Sequence, residues 1–100
     1  MPPLHSALQR GLMDVVKLLL AGGADPNITD SYGRTPLHLA SKEGYKDIVK
    51  LLIGLGGNPD MGDIFEITPL QMALDKGYKN VAEVLIDAEA KPNRLANSQE

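Results

Sequence analysis

Apolar residues along this chain fall into two alternating kinds of cluster. The short kind is Leu4, Ala7 and Leu8, then Leu37 and Ala40 ahead of Ser41. Their spacing of three and four residues puts them on one face of a helix. The longer kind is Val15, Val16, Leu18, Leu19 and Leu20, with Ile48 to Ile53 and Val81 to Ile86 alike. Each short cluster is preceded by a helix-start signal. Thr35 and Thr68 stand before Pro36 and Pro69. A threonine hydroxyl accepts a bond from a free N–H of the first turn, and proline at the first helical position gives up no hydrogen bond. Gly11, Gly44 and Gly77 follow where a helix of two turns would stop, because glycine takes the left-handed closing conformation cheaply. Asp14, Asp47 and Asn80 then fall in the first turn of a second helix, where the helix dipole favours them. Gly23 and Gly56 close that helix, and the stretch from Asp25 to Gly33 is turn chemistry.

These signals recur every 33 residues. Pro3-Leu4-His5, Pro36-Leu37-His38 and Pro69-Leu70-Gln71 keep that offset, as do Ala7, Ala40 and Ala73, and Pro26, Pro59 and Pro92. Residues 30–62 and 63–95 share 11 identities in 33 positions without a gap, where unrelated sequence would give about two. Neither helix of a unit would stand alone, since isolated helices under ~12–15 residues are marginal in water. Each pair must therefore lie against the next, with one core running along the stack. Ala7, Ala40 and Ala73 are small enough to let the helices approach closely.

A 33-residue period carrying Thr35-Pro36-Leu37-His38 resembles the ankyrin repeat, and the resemblance extends over nearly the whole chain. It implies an all-α fold: an ankyrin-repeat solenoid of stacked helix-turn-helix units with projecting β-turn fingers. The expected domain is 1–100, in units 1–29 (partial), 30–62 and 63–95 with a tail at 96–100. The ends depart from the pattern. Pro2 stands where Thr35 and Thr68 supply caps, and Glu89 stands where glycine closes the second helix. Forcing a non-glycine residue left-handed costs about 1–2 kcal/mol, so that helix should end differently or fray. From Arg94 the tail should begin a fourth finger. Both a complete three-unit protein and a segment of a longer array fit such ends.

Composition narrows the function. Apolar residues make up 43% of the chain and aromatics 4%, with no Trp, so aliphatic residues must build the core. The formal charge of −3 is interspersed, without the basic stripe of a nucleic-acid binder. There is no cysteine, which removes disulfides, thiolate metal sites and thiol catalysis. The longest apolar run, 15–21, is interrupted by Lys17 and is far short of the ~20 residues of a membrane span. An intracellular chain, cytoplasmic or nuclear, is expected. It should be monomeric, with no membrane insertion and no nucleic-acid partner.

Candidate chemistry is sparse. His5 and His38 lie one repeat apart, so stacking would hold them about 10 Å from each other, too far to share a metal. In the ankyrin resemblance the histidine at position 38 instead binds backbone and the threonine hydroxyl, tying neighbouring loops. Gly54-Leu55-Gly56-Gly57 follows a helix, whereas phosphate-binding loops follow a strand and open a helix. Asp60, Asp63 and Glu66 lack the twelve-residue calcium-loop spacing. Ser6 and Ser41 lack a catalytic constellation. The chain is therefore expected to be no enzyme, with no cofactor, no metal and no small-molecule substrate. Asn27, with Leu19 and Asp25, resembles a pattern hydroxylated in some ankyrin proteins, although an asparagine there also bridges the loop.

What remains is binding to another protein. The resemblance implies a concave groove made of finger tips and first helices. By position the expected partner-binding residues are Tyr32, Arg34, Lys42, Ile64, Phe65, Ile67 and Asp75. The second finger stands out, because Ile64, Phe65 and Ile67 crowd into it where polar residues would be cheapest. An exposed apolar cluster marks an interaction site; the competing expectation is that Phe65 and Ile67 fold back over the third unit's core. Two other roles fit the same repeats: a structural spacer within a longer array, or an accessory stack beside a catalytic domain outside this chain.

Overall fold

Three helix pairs form along the chain: α1 (Pro3–Gln9) with α2 (Met13–Ala21), α3 (Pro36–Glu43) with α4 (Lys46–Gly54), and α5 (Pro69–Lys76) with α6 (Lys79–Ser98). The computed structural model describes the backbone of residues 1–98 and the side chains of residues 1–89. Among these residues there are six helices and no strand.

The start signals act as their chemistry dictates. The Thr35 hydroxyl accepts the His38 N–H at 3.3 Å, and His38 Nδ1 accepts the Thr35 N–H at 2.9 Å. Thr68 and Gln71 repeat the exchange at 3.2 and 3.1 Å. This is the reciprocal capping box, with His or Gln at its third position. Pro2 gives α1 no side-chain cap. Gly44 and Gly77 close α3 and α5 in the left-handed conformation, at φ 77° and 79°.

First helices lie side by side, α1 on α3 and α3 on α5, while α4 lies on α6. Ala7, Ala40 and Ala73 are buried at these contacts, and Leu8, Leu37, Val49, Leu52 and Leu85 fill the continuous core beside them. Ala82 is buried where Val16 and Val49 stand in the other units. The result is an elongated stack of 43 × 30 × 24 Å.

α6 does end differently from the other second helices, passing Glu89 and continuing to Ser98. The expected fourth turn needs correcting, since Arg94 lies within this helix and no turn begins there. Left-handed closure would cost Glu89 about 1–2 kcal/mol, whereas extending the helix keeps adding backbone bonds.

Candidate functional site

Two turns of the same design join the units. In each, an aspartate is the anchor. Asp30 Oδ1 accepts the N–H groups of Tyr32 and Arg34, both at 2.9 Å. Asp63 Oδ1 accepts those of Phe65 and Ile67, at 2.8 and 3.0 Å. Backbone bonds close each turn: Gly33 N–H to Asp30 carbonyl, 3.0 Å, and Glu66 N–H to Asp63 carbonyl, 2.8 Å. The fourth residue must then be left-handed. Gly33 accepts this at φ 74°, while Glu66 does so at φ 62°, alone among the described non-glycine residues.

Electrostatics reinforce the first turn. The Arg34 guanidinium bonds Asp30 Oδ2 at 2.8 Å and lies 5.2 Å from the centre of the Tyr32 ring. Burial works to raise the Asp30 pKa. The Arg34 N–H and guanidinium and the Tyr32 N–H outweigh it, so the carboxyl titrates below its ordinary value.

Three long-range links hold the turns on the helices. His38 Nδ1 accepts from Thr35, which leaves the proton on Nε2 to be donated to the Ile67 carbonyl at 2.7 Å. Burial lowers the His38 pKa, against the opposing pull of that bond. His5 Nε2 donates likewise to the Arg34 carbonyl at 2.7 Å, but with Pro2 in place of threonine its Nδ1 is buried without a partner. Asn27 Nδ2 donates to the Gly56 carbonyl at 3.0 Å, and its Oδ1 accepts the Asn58 N–H at 2.7 Å. Both ends of that side chain are occupied in bridging two units.

The expected site residues separate into two groups. Arg34, Lys42, Ile67 and Asp75 come together with Gln71, Met72, Leu74 and Lys76 around a groove of about 720 Å³. Tyr32, Ile64 and Phe65 stand beyond it on the turns, 54%, 58% and 69% exposed. Phe65 therefore does not fold back over the core, and Ile67 turns toward the groove while staying 36% exposed. The Arg34 charge is already matched by Asp30, so the Lys42 and Lys76 ammonium groups and the Asp75 carboxylate are the open charges of the groove. Met72 and Leu74 were missed from sequence; only their place on α5, within the two turns that follow Thr68-Pro69, would have marked them. Among the described residues no three His, Asp or Glu side chains converge as a metal ion requires, and no helix is long and apolar enough to cross a membrane.

This architecture is that of a repeat protein whose units present turns and helix ends along one side. A family model for ankyrin repeats matches residues 4–96 in three copies, and the chain belongs to the ankyrin-repeat family. Ankyrin repeats are generally protein–protein interaction modules and typically non-catalytic. No curated protein is similar enough to the chain to match it.

Proposed function

We propose that this chain binds a partner protein along the groove between its turns and first helices, with the second turn as the anchor. The observation that carries the proposal is the apolar pair Ile64 and Phe65, exposed on a turn that is held firmly. Exposed apolar side chains on a rigid scaffold bind at low entropic cost, and aromatic anchors are typical hot spots. The groove beside them offers an apolar floor of Ile67, Met72 and Leu74, with Lys42, Asp75 and Lys76 at its edge. Nothing in this arrangement performs chemistry on the partner. The side chains that hold it together are occupied within it: His38, Thr35 and Asp63 bond backbone groups, and Asp30 bonds backbone N–H groups and the Arg34 guanidinium.

The test is a paired capture experiment from cell extract with two baits, the unchanged chain and the Phe65→Ser/Ile64→Ser variant. A direct partner is retained by the first and lost from the second. If the same proteins bind both baits equally, the second turn is not the anchor.

A further inference from the structure

The three units correspond in sequence but differ in what covers them. Ile48 lies with Met13 and Lys17 of the preceding unit around a cleft of about 480 Å³, and it is 2% exposed. Val81 lies near Gly44 and Lys46 of its own preceding unit and is 1% exposed. The tyrosines three residues earlier lean the same way. A Cβ on Gly11 would stand 3.2 Å from the Tyr45 hydroxyl, and one on Gly44 would stand 3.0 Å from the Tyr78 ring. These positions make up the backward face of a unit, the face that rests on its predecessor.

In the first unit the place of Ile48 and Val81 is held by Val15, 42% exposed, while Leu12 at 41% is about as exposed as its counterpart Tyr78 at 39%. Leu18 takes the place of the partly buried Leu51 and Val84, and it is 72% exposed. The forward face shows the converse. Leu8 and Ser41 are fully buried beneath the unit that follows, while Leu74, third in that series, is 58% exposed. Leu20 is 6% exposed, Ile53 packs against the core, and Ile86 is 53% exposed.

One end of the stack thus offers an uncovered backward face and the other an uncovered forward face. Both faces carry exposed apolar residues. They are the two halves of an interface that the chain already builds twice within itself, between units one and two and between units two and three. What covers a backward face in this molecule is a forward face, and a second copy brings one.

We infer that two copies of the chain stack end to end, the Val15 and Leu18 face of one on the Leu74 and Ile86 face of the other. Such a contact joins two different surfaces and does not close on itself, so it yields dimers and then longer stacks. Sequence alone leads to a monomer, because the repeat pattern does not show which apolar positions have a cover.

Sedimentation velocity on the whole chain tests this. The weight-average mass should rise with concentration across ~10 μM to ~1 mM, the range of weak specific contacts. Leu18→Glu alone and Leu74→Glu/Ile86→Glu alone should each stay monomeric, because each loses one half of the contact at an exposed site. Mixed in equal amounts, they should form a dimer and nothing larger, since one intact face remains on each. Should the double variant melt below the unchanged chain, Ile86→Glu by itself takes its place. An unchanged chain that is monomeric throughout the range overturns the proposal. So does a mixture that stays monomeric, or either variant associating by itself, which would mean that like faces pair.

Discussion

The backbone N–H of Ile64 donates to the carbonyl of Tyr32 at 2.9 Å, so the tips of the two turns are fastened to each other. The aromatic ring of one and the aliphatic side chain of the other are thereby held at a fixed spacing. Gly33 sits under this link. A Cβ there would meet Ile64 N at 3.1 Å and its Cγ2 at 3.3 Å.

Opposite substitutions at the fourth position of the two turns should therefore have opposite signs. Gly33→Ala forces alanine to φ 74° against Ile64 and should cost about 1–2 kcal/mol. Glu66→Gly relieves a left-handed glutamate and, after the extra chain entropy of glycine, should gain roughly 0.5–1 kcal/mol. Urea melts of both variants check the pair; a destabilising Glu66→Gly would contradict the strain assigned to that turn.

Packing at the centre of the stack leaves little freedom. Ala40 is fully buried on α3, which lies between α1 and α5. Ala40→Leu should overpack this contact and cost ~1–3 kcal/mol. Loss of the cap by Thr35→Ala should cost about 1 kcal/mol. A neutral Ala40→Leu in urea would mean that the helices do not meet there.

The first unit is the converse case, since it lacks what the others have. Pro2 has an extended backbone at φ −61° and ψ 147°, close to that of Thr35, and the buried His5 Nδ1 has no partner. Pro2→Thr should supply both the missing cap and a partner for the ring, and raise stability by about 1 kcal/mol. Thermal melts that show no gain would mean α1 cannot use the hydroxyl.

Acid should loosen the stack through His38. Burial holds its pKa below the ordinary 6.5, so the unfolded chain binds the proton first as pH falls. Stability rises with pH wherever the unfolded state binds more protons. The His38 contribution is therefore complete above pH 6.5 and declines below it, toward the depressed folded value. The melting temperature should fall over that window, and His38→Gln should flatten the fall. An unchanged slope in that variant would assign the pH dependence to other groups.

Much of this architecture was open to sequence reasoning because it rests on local chemistry repeated at a fixed period. Thr35, Pro36 and Gly44 mark the ends of α3 by their own conformational limits, and their copies at 68, 69 and 77 do the same for α5. The continuation of α6 past Glu89 was hidden, because a missing glycine says that the usual stop is absent and not what replaces it. The site was partly hidden for a related reason. Arg34, Lys42, Ile67 and Asp75 were identified by position, yet their convergence with Met72 and Leu74 on one groove depends on how α5 is set against α3. The link from Ile64 to Tyr32 is backbone chemistry, which no side-chain pattern reports.

A smaller effect should appear at the first turn. Tyr32 is exposed but leans toward the Arg34 guanidinium, so part of its surface is already occupied. Tyr32→Ala should weaken partner binding less than changes at the second turn do, as read by titration calorimetry. An effect larger than that of the second turn would move the anchor to the first.

The most direct test measures affinity and stability together on the Phe65→Ser/Ile64→Ser variant. Both side chains are exposed, so removing them should hardly move Tm. Burying one such side chain against a partner is worth ~1.5–3 kcal/mol, so Kd for the captured partner should rise at least ~10-fold. Lys50→Ala, exposed on α4 away from the groove, is the control and should change neither. A double variant that binds its partner as tightly as the unchanged chain, or one that unfolds, would contradict the claim that these two residues are an exposed anchor.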